Sequence, residues 1–188
     1  DWISTHMSKF KFLSKEIGSG RIWLKNMAHA ARIRDIGIQY CMAVPCTIMA
    51  STEFKSVITA RASGDYNSYW PKVYDTPYFW QSSMLMWSIG LWPFKDTFES
   101  TTNGKITGEK RPMLMALMSN LSGGQVAPGD KIGMVNKKMV EAVSRADGLL
   151  YKPDRPMTAT DLTYIKNRKY YIASTESTHN NLQWHYVI

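Results

Sequence analysis

Residues 38–44 read IQYCMAV, and Pro45 closes this short apolar run. A second run, VITARA, follows at residues 57–62. Apolar residues dominate both runs without regular alternation, which is typical of strands buried on both faces of a parallel sheet. Parallel neighbours require a crossover connection, and helical spacing is found between and around the runs. The two runs therefore predict an α/β fold in which parallel strands are joined by helices.

Helical segments and further strands extend this pattern along the chain. Apolar positions spaced three or four residues apart predict helices at residues 22–34, 47–54, 78–89, 111–120 and 136–143. Residues 90–98 are a short strand or an irregular stretch. A Gly-led strand is predicted at residues 123–127, adjacent and parallel to the first two runs. Residues 1–150 then hold about four strand–helix units, which is half of an eightfold barrel or a small doubly wound sheet.

The composition changes after Pro153 and Pro156. Residues 164–188 are rich in Tyr, Thr, Ile and Val with partial alternation, and this pattern predicts antiparallel strands. We therefore predict that the strand–helix units end near residue 160 and that a C-terminal β domain begins at residues 161–188.

The composition excludes several broad classes of protein. Of the 188 residues, 44% are hydrophobic and 20% are charged, so the chain can bury a core and is not of the disordered class. It opens on Asp1 without Met, and we interpret it as a piece of a longer polypeptide. No run approaches the about 18 consecutive apolar residues of a membrane span, so we predict no membrane partner. The net charge is +8, but the densest basic run, residues 166–169, is short, so we predict no nucleic-acid partner.

The sequence indicates no cofactor and no metal site. Cys41 and Cys46 lie five residues apart, which matches no zinc pattern and leaves two thiols or a local disulfide open. Residues 18–20 read GSG before a helix but lack the third glycine and the Lys-Ser pair of phosphate-binding loops. The four histidines are isolated, and no serine or cysteine lies in a nucleophile elbow, which argues against a hydrolase of the Ser-His-Asp type.

Four aspartates either follow predicted strands or open the chain, and the ends of strands are where a strand–helix barrel places its reactive groups. They are Asp1 at the chain start, Asp65 after residues 57–62, Asp96 after residues 90–94 and Asp130 after residues 124–127. Each alone also fits a loop or helix-capping role. Together with nearby tryptophans and tyrosines they suit a sugar, whose C–H faces pack on rings while carboxylates accept its hydroxyl groups.

A resemblance to a known family is carried by residues 61–66, which read RASGDY. They resemble the Arg-x-Ser-x-Asp-Phe segment of plant raffinose synthases and alkaline α-galactosidases, which belong to glycoside hydrolase family 36 and its relatives. Further matches occur in the same order: QYCM at 39–42, PFKDTF at 93–98, SGG at 122–124, GDKIG at 129–133 and RADG at 145–148. The collinear matches extend over residues 38–155, and their shared order carries the resemblance.

This resemblance implies a fold and a chemistry. The fold would be the second half of a (β/α)8 barrel at residues 1–160, followed by the opening strands of an antiparallel β-sandwich at residues 161–188. The chemistry would be that of a retaining glycoside hydrolase or transglycosidase similar to α-galactosidases, acting on an oligosaccharide or polysaccharide. The first half of the barrel would come from the remainder of the same polypeptide.

The resemblance also implies roles for individual residues. Asp1 would be the nucleophile and Asp65 the acid/base, with their carboxyl groups about 5–5.5 Å apart and Asp65 the more buried of the two. Substrate-binding roles fall to Arg61, Trp70, Trp92, Asp96 and Asp130. The chain departs from the plant pattern at Gly64, because those enzymes often carry two adjacent acids at this point. The alternative hypothesis is a non-catalytic carbohydrate-binding or structural protein that keeps the barrel.

Overall fold

The computed structural model describes residues 1–66, 75–101, 109–165 and 171–188. Its helices are α1 (Ile3–Lys9), α2 (Lys11–Lys15), α3 (Ser19–Arg32), α4 (Pro45–Ala50), α5 (Asp75–Ser88), α6 (Pro112–Leu121), α7 (Lys137–Ala142) and α8 (Leu162–Ile165). Its strands are β1 (Ile38–Tyr40), β2 (Val57–Arg61), β3 (Trp92–Phe94), β4 (Thr158–Ala159), β5 (Ala173–His179) and β6 (Leu182–Val187). Within the described ranges, no helix has the length and apolar character needed to cross a membrane.

Strands β1, β2 and β3 form a parallel sheet in that order. Tyr40 of β1 pairs with Ala60 of β2, and Ala60 pairs with Pro93 of β3. Helix α4 lies between β1 and β2 in the chain, and α5 lies between β2 and β3. Parallel pairing of the two apolar runs is thus confirmed. The first strand is shorter than its run because Met42 adopts a left-handed φ of 52°, which interrupts extended backbone.

The third strand of this sheet is β3, and the prediction of a strand at residues 123–127 was wrong. That segment instead packs closely against β3. A Cβ built on Gly124 would lie 2.5 Å from the Cβ of Phe94 and would overlap the carbonyl oxygen of Pro93. Gly124 therefore marks a close approach of two backbones, which is one common reason for a glycine beside a strand.

Three adjacent parallel strands do not distinguish between the two architectures that the strand–helix pattern allows. A half barrel and a small doubly wound sheet share this arrangement over the residues described. The (β/α)8 barrel implied by the resemblance therefore stays a prediction.

Helices pack on one face of the parallel sheet and form the main core. Tyr40 and Ala60, which are neighbours on that face, are 1% and 0% exposed. They belong to a buried cluster that includes Leu24 of α3 and Trp80 of α5. The five helices predicted from apolar spacing are present as α3 to α7, although the one predicted to reach residue 54 continues after α4 only as the 3₁₀ turn Ser51–Glu53.

The second sheet is antiparallel, in the order β4–β5–β6. In the β5–β6 hairpin His179 pairs with Leu182, and positive φ angles at Asn180 and Asn181 fit a two-residue type I′ turn. The antiparallel strands predicted for the tail are confirmed over residues 173–187, whereas residues 164 and 165 lie in helix α8. The sheet begins with β4, and the domain boundary at residue 160 stays a prediction.

Replacing Gly124 by Ala should destabilise the fold. The added methyl group would meet the Pro93 carbonyl oxygen and the Phe94 Cβ, and neither atom is the far end of a flexible side chain. We expect a loss of about 1–3 kcal/mol in the free energy of unfolding, measured by urea denaturation. Gly37→Ala is the matched control, because its methyl group meets the flexible side chain of the half-exposed Ile58. Equal losses in the two variants would contradict the close packing.

Replacing Tyr40 by Phe should stabilise the chain. The ring is buried, and its hydroxyl group has no hydrogen-bond partner among the described residues. Removing an unpaired buried hydroxyl relieves a desolvation penalty of about 1–3 kcal/mol. Burial also raises the pKa of Tyr40 from 10.0 to about 12. Between these pH values only the unfolded chain releases the proton, so the wild type loses stability there as the pH rises.

Urea unfolding at pH 7 and at about pH 11 measures both effects. The Phe variant should have the higher unfolding midpoint at pH 7, and its advantage should grow at the higher pH. A Phe variant that is less stable at pH 7 would show that the hydroxyl group is satisfied.

Candidate functional site

One guanidinium connects the loops that follow β2 and β3. Arg61 is the last residue of β2, and Asp96 lies two residues after β3, so both are at the carboxyl edge of the sheet. The Nη2 of Arg61 lies 2.6 Å from Oδ1 of Asp65, and its Nη1 lies 3.3 Å from Oδ2 of Asp96. The structure thus brings together three of the residues that the sequence singled out.

These three side chains differ in exposure. That of Arg61 is 9% exposed and that of Asp96 is 21% exposed, whereas that of Asp65 is 73% exposed. Burial disfavours the charged guanidinium, but the hydrogen bond to Asp65 and the surrounding negative groups outweigh it and raise the pKa of Arg61. The carboxylate of Asp65 lies on the solvent side of the guanidinium, and the expectation that Asp65 is more buried than Asp1 stays a prediction.

Asp96 is held by the loop at residues 63–66. Its Oδ2 accepts a hydrogen bond from the backbone N–H of Tyr66 at 2.7 Å. The backbone N–H of Asp96 donates to the Oγ of Ser63 at 2.8 Å. Its Oδ1 accepts no hydrogen bond from the part of the chain that the structure describes. Because a carboxylate has several acceptor positions, Asp96 can still accept a hydrogen bond from a hydroxyl group of a bound molecule.

Three residues that the sequence did not single out complete this edge: Tyr66, Lys95 and Glu109. The phenol of Tyr66 donates to Oε2 of Glu109 at 2.7 Å, and the Nζ of Lys95 lies 4.8 Å from the centroid of the Tyr66 ring. Burial above all, with a contribution from the Glu109 carboxylate, raises the pKa of Tyr66. Tyr66 and Lys95 adjoin predicted site aspartates in the sequence, which was a usable signal, whereas Glu109 has none.

The segment that begins with Asp1 reaches the same edge of the sheet at Ser4. The N–H of Ser4 donates to the carbonyl oxygen of Met42, two residues after β1, at 3.0 Å. Asp1 itself is exposed, and its Oδ1 accepts the N–H of Trp2 at 2.7 Å. No hydrogen bond among the described residues joins Asp1 to Asp65, so their opposition across a pocket stays a prediction.

Asp130 makes a different contact. Both of its carboxylate oxygens lie 2.9 Å from the N–H of Ser100, and the Oγ of Ser100 accepts the N–H of Asn136 at 2.8 Å. A parallel bridge between Phe98 and Pro128 brings the two segments together. Asp130 therefore binds the backbone of the loop after β3, and its substrate-binding role stays a prediction.

Trp92 begins β3 and so lies at the opposite end of that strand from Asp96. Its ring contacts Trp87 at a centroid distance of 5.0 Å and covers Gly123, where a Cβ would overlap it. These are packing contacts, and the role of Trp92 as a sugar platform stays a prediction. Trp70, the other predicted platform, lies outside the described residues.

The described thiols and carboxylates do not assemble into a metal site. In the described ranges, no group of His, Cys, Asp and Glu side chains has an arrangement that could hold a metal ion. Cys41 and Cys46 are both free thiols, so the local disulfide that the sequence left open is not formed.

Comparison with known proteins adds no family assignment. No protein family model, curated protein or solved structure matches the chain. The likeness to family 36 glycoside hydrolases therefore rests on the short collinear motifs of residues 38–155.

Replacing Arg61 by Met should destabilise the chain more than replacing Arg21 by Met. Arg61→Met removes contacts to two carboxylates from a nearly buried side chain, and we expect a loss of about 2 kcal/mol. Arg21 forms an equally short ion pair with Glu53, at 2.6 Å, but its side chain is 70% exposed, so the loss should be below about 1 kcal/mol. Urea unfolding midpoints measure the difference. Similar losses would show that the bridge contributes no more than a surface ion pair.

Proposed function

We propose that the chain acts on carbohydrates as a retaining glycoside hydrolase or transglycosidase that resembles α-galactosidases. The observation that carries the proposal is the bridge from Arg61 to Asp65 and Asp96 at the carboxyl edge of a parallel sheet. Strand–helix folds build their polar sites from such strand ends. The approach of the chain start to the carboxyl end of β1 and the motifs at residues 61–66 and 93–98 add support.

In this proposal Asp1 is the nucleophile and Asp65 is the acid/base. Asp65 protonates the glycosidic oxygen while Asp1 attacks the anomeric carbon, which releases the leaving group as an alcohol and forms a glycosyl ester on Asp1. Asp65 then takes a proton from water or from an acceptor sugar, whose oxygen displaces Asp1. The two displacements together retain the anomeric configuration. Asp96 accepts a hydrogen bond from a sugar hydroxyl group. Arg61 contacts both Asp65 and Asp96 and so fixes their positions relative to each other.

A second candidate is a carbohydrate-binding protein without catalytic activity. The observation that favours it is the environment of Asp65, whose side chain is 73% exposed and paired with Arg61. A proton donor commonly lies in a buried setting, whereas a side chain that only binds a sugar hydroxyl group does not require one. Under this candidate Asp65 and Asp96 bind sugar hydroxyl groups and no bond is broken.

Replacement of each proposed catalytic aspartate by Asn tests the first candidate. Asp65→Asn should lower the turnover of α-galactosides with poor leaving groups by about 10²–10⁴-fold, because the proton donor is lost. Aryl α-galactosides with acidic leaving groups need little protonation and should lose much less in the first displacement. Asp1→Asn should abolish turnover of both substrates, because no glycosyl ester can form. Asp35→Asn is the control, since Asp35 is exposed and its φ of 53° is one that asparagine tolerates.

Azide separates the two roles by stereochemistry. In Asp65→Asn, azide attacks the glycosyl ester and gives the α-galactosyl azide, whereas in Asp1→Asn it displaces the leaving group directly and gives the β-azide. Proton NMR distinguishes the two anomers. Turnover that is unchanged in both variants would contradict the assignment of these aspartates, and sugar binding without any turnover by the wild type would support the second candidate.

A further inference from the structure

Glu109 is a buried carboxylate behind the loop at residues 63–66. It is 6% exposed, and both of its oxygens accept hydrogen bonds. Its Oε2 accepts the phenol of Tyr66 at 2.7 Å, and its Oε1 accepts the backbone N–H of Arg111 at 2.9 Å. A desolvated carboxylate holds its donors in place, because moving either donor away would leave buried charge unpaired.

Lys95 lies over the face of the same phenol ring. It is 7% exposed, and its Nζ lies 4.8 Å from the centroid of the Tyr66 ring. The same ammonium donates to the carbonyl oxygens of Asp96 and Thr97, at 3.3 and 3.1 Å. A cation over the ring and an anion at its hydroxyl group both favour one ring position. Tyr66 is thus clamped between Lys95 and Glu109.

The clamp fixes the backbone from which the site is built. Tyr66 directly follows Asp65, and its backbone N–H donates to Oδ2 of Asp96 at 2.7 Å. The carboxylate of Asp65 is 73% exposed, so its position depends on the backbone to either side as well as on Arg61. Holding the Tyr66 ring therefore holds the Asp96 carboxylate and the starting point of the Asp65 side chain.

We propose that Glu109 is a positioning residue, which acts through Tyr66 on Asp65 and Asp96 and does not touch a substrate. The catalytic consequence of this role rests on the proposed function, whereas the positional effect is independent of it. Misplacing a catalytic group by about 1 Å costs on the order of 10²-fold in rate. A clamp behind the loop therefore matters for turnover although it lies outside the contact surface.

The variants Tyr66→Phe and Glu109→Gln test the clamp from its two sides. Tyr66→Phe keeps the ring under Lys95 and the backbone N–H but removes the hydroxyl group. Glu109→Gln removes the charge and leaves one acceptor oxygen for two donors. We expect each variant to speed hydrogen exchange at the Tyr66 amide by about tenfold. We expect each to lower kcat for α-galactosides with poor leaving groups by about 10²-fold, with KM little changed.

Two comparisons make this test specific. Tyr78→Phe and Glu141→Gln are the matched controls, because both side chains are exposed, and they should change neither exchange nor kcat. The effects of the two substitutions should be clearly less than additive in the double variant of Tyr66 and Glu109, because both break the same hydrogen bond.

The outcomes separate failure of the clamp from failure of the proposed function. Unchanged exchange at the Tyr66 amide in both variants would overturn the positioning role, whatever the kinetics. Faster exchange with wild-type kcat per folded molecule would also overturn it, because Glu109 would then have a purely structural role. A wild-type chain that hydrolyses no α-galactoside would refute the proposed function, and faster exchange in the variants would then uphold the clamp by itself.

Discussion

The nearly buried guanidinium of Arg61 is the constraint on which this edge of the molecule depends. A charged side chain that is 9% exposed needs anions close by, because desolvating an unpaired ion costs several kcal/mol. Asp65 and Asp96 supply them from two different loops, so the loops after β2 and β3 must approach each other. Ser63 and Tyr66 then close the remaining gap by bonding to Asp96. The geometry of the site follows from one cation at the last residue of a strand.

The face of the sheet that carries Arg61 also carries other polar side chains, so the parallel strands are less uniformly apolar than strands between two layers of helices. Gln39 and Thr59 are register partners and share one face, and Arg61 alternates onto that face two residues later. Gln125 binds to side chains on this face: its Nε2 donates to Oε1 of Gln39 at 2.8 Å and to Oγ1 of Thr59 at 3.2 Å. The opposite face carries Tyr40 and packs on the helices. One face therefore builds the core while the other accommodates polar groups.

Sequence patterns predicted the features that local physics determines and missed those that depend on distant partners. Apolar spacing predicted α3 to α7, and the pair of Arg61 with Asp65 spans only four residues. At residues 90–98 the sequence did not distinguish a strand from an irregular segment, because Pro93 lowers the strand propensity. The structure tolerates Pro93 in a strand because β3 is at the edge of the described sheet. Glu109 gave no signal, because 43 residues separate it from Tyr66. The outward orientation of Asp65 likewise depends on how two loops pack, which no short motif encodes.

Asp65 shows how an exposed carboxylate acquires a defined position. Its ion pair with Arg61 contributes little to the free energy of unfolding, because a carboxylate that is 73% exposed is well solvated. Its position is fixed by the contact with Arg61 together with the backbone, which Ser63 and Tyr66 tie to Asp96 on either side of Asp65. This arrangement leaves the carboxylate open to a ligand while the loop stays fixed, and such preorganisation lowers the entropic cost of binding. A sugar that replaces water around Asp65 therefore requires no rearrangement of the guanidinium bridge, and the exposure of Asp65 is compatible with a role in binding or catalysis.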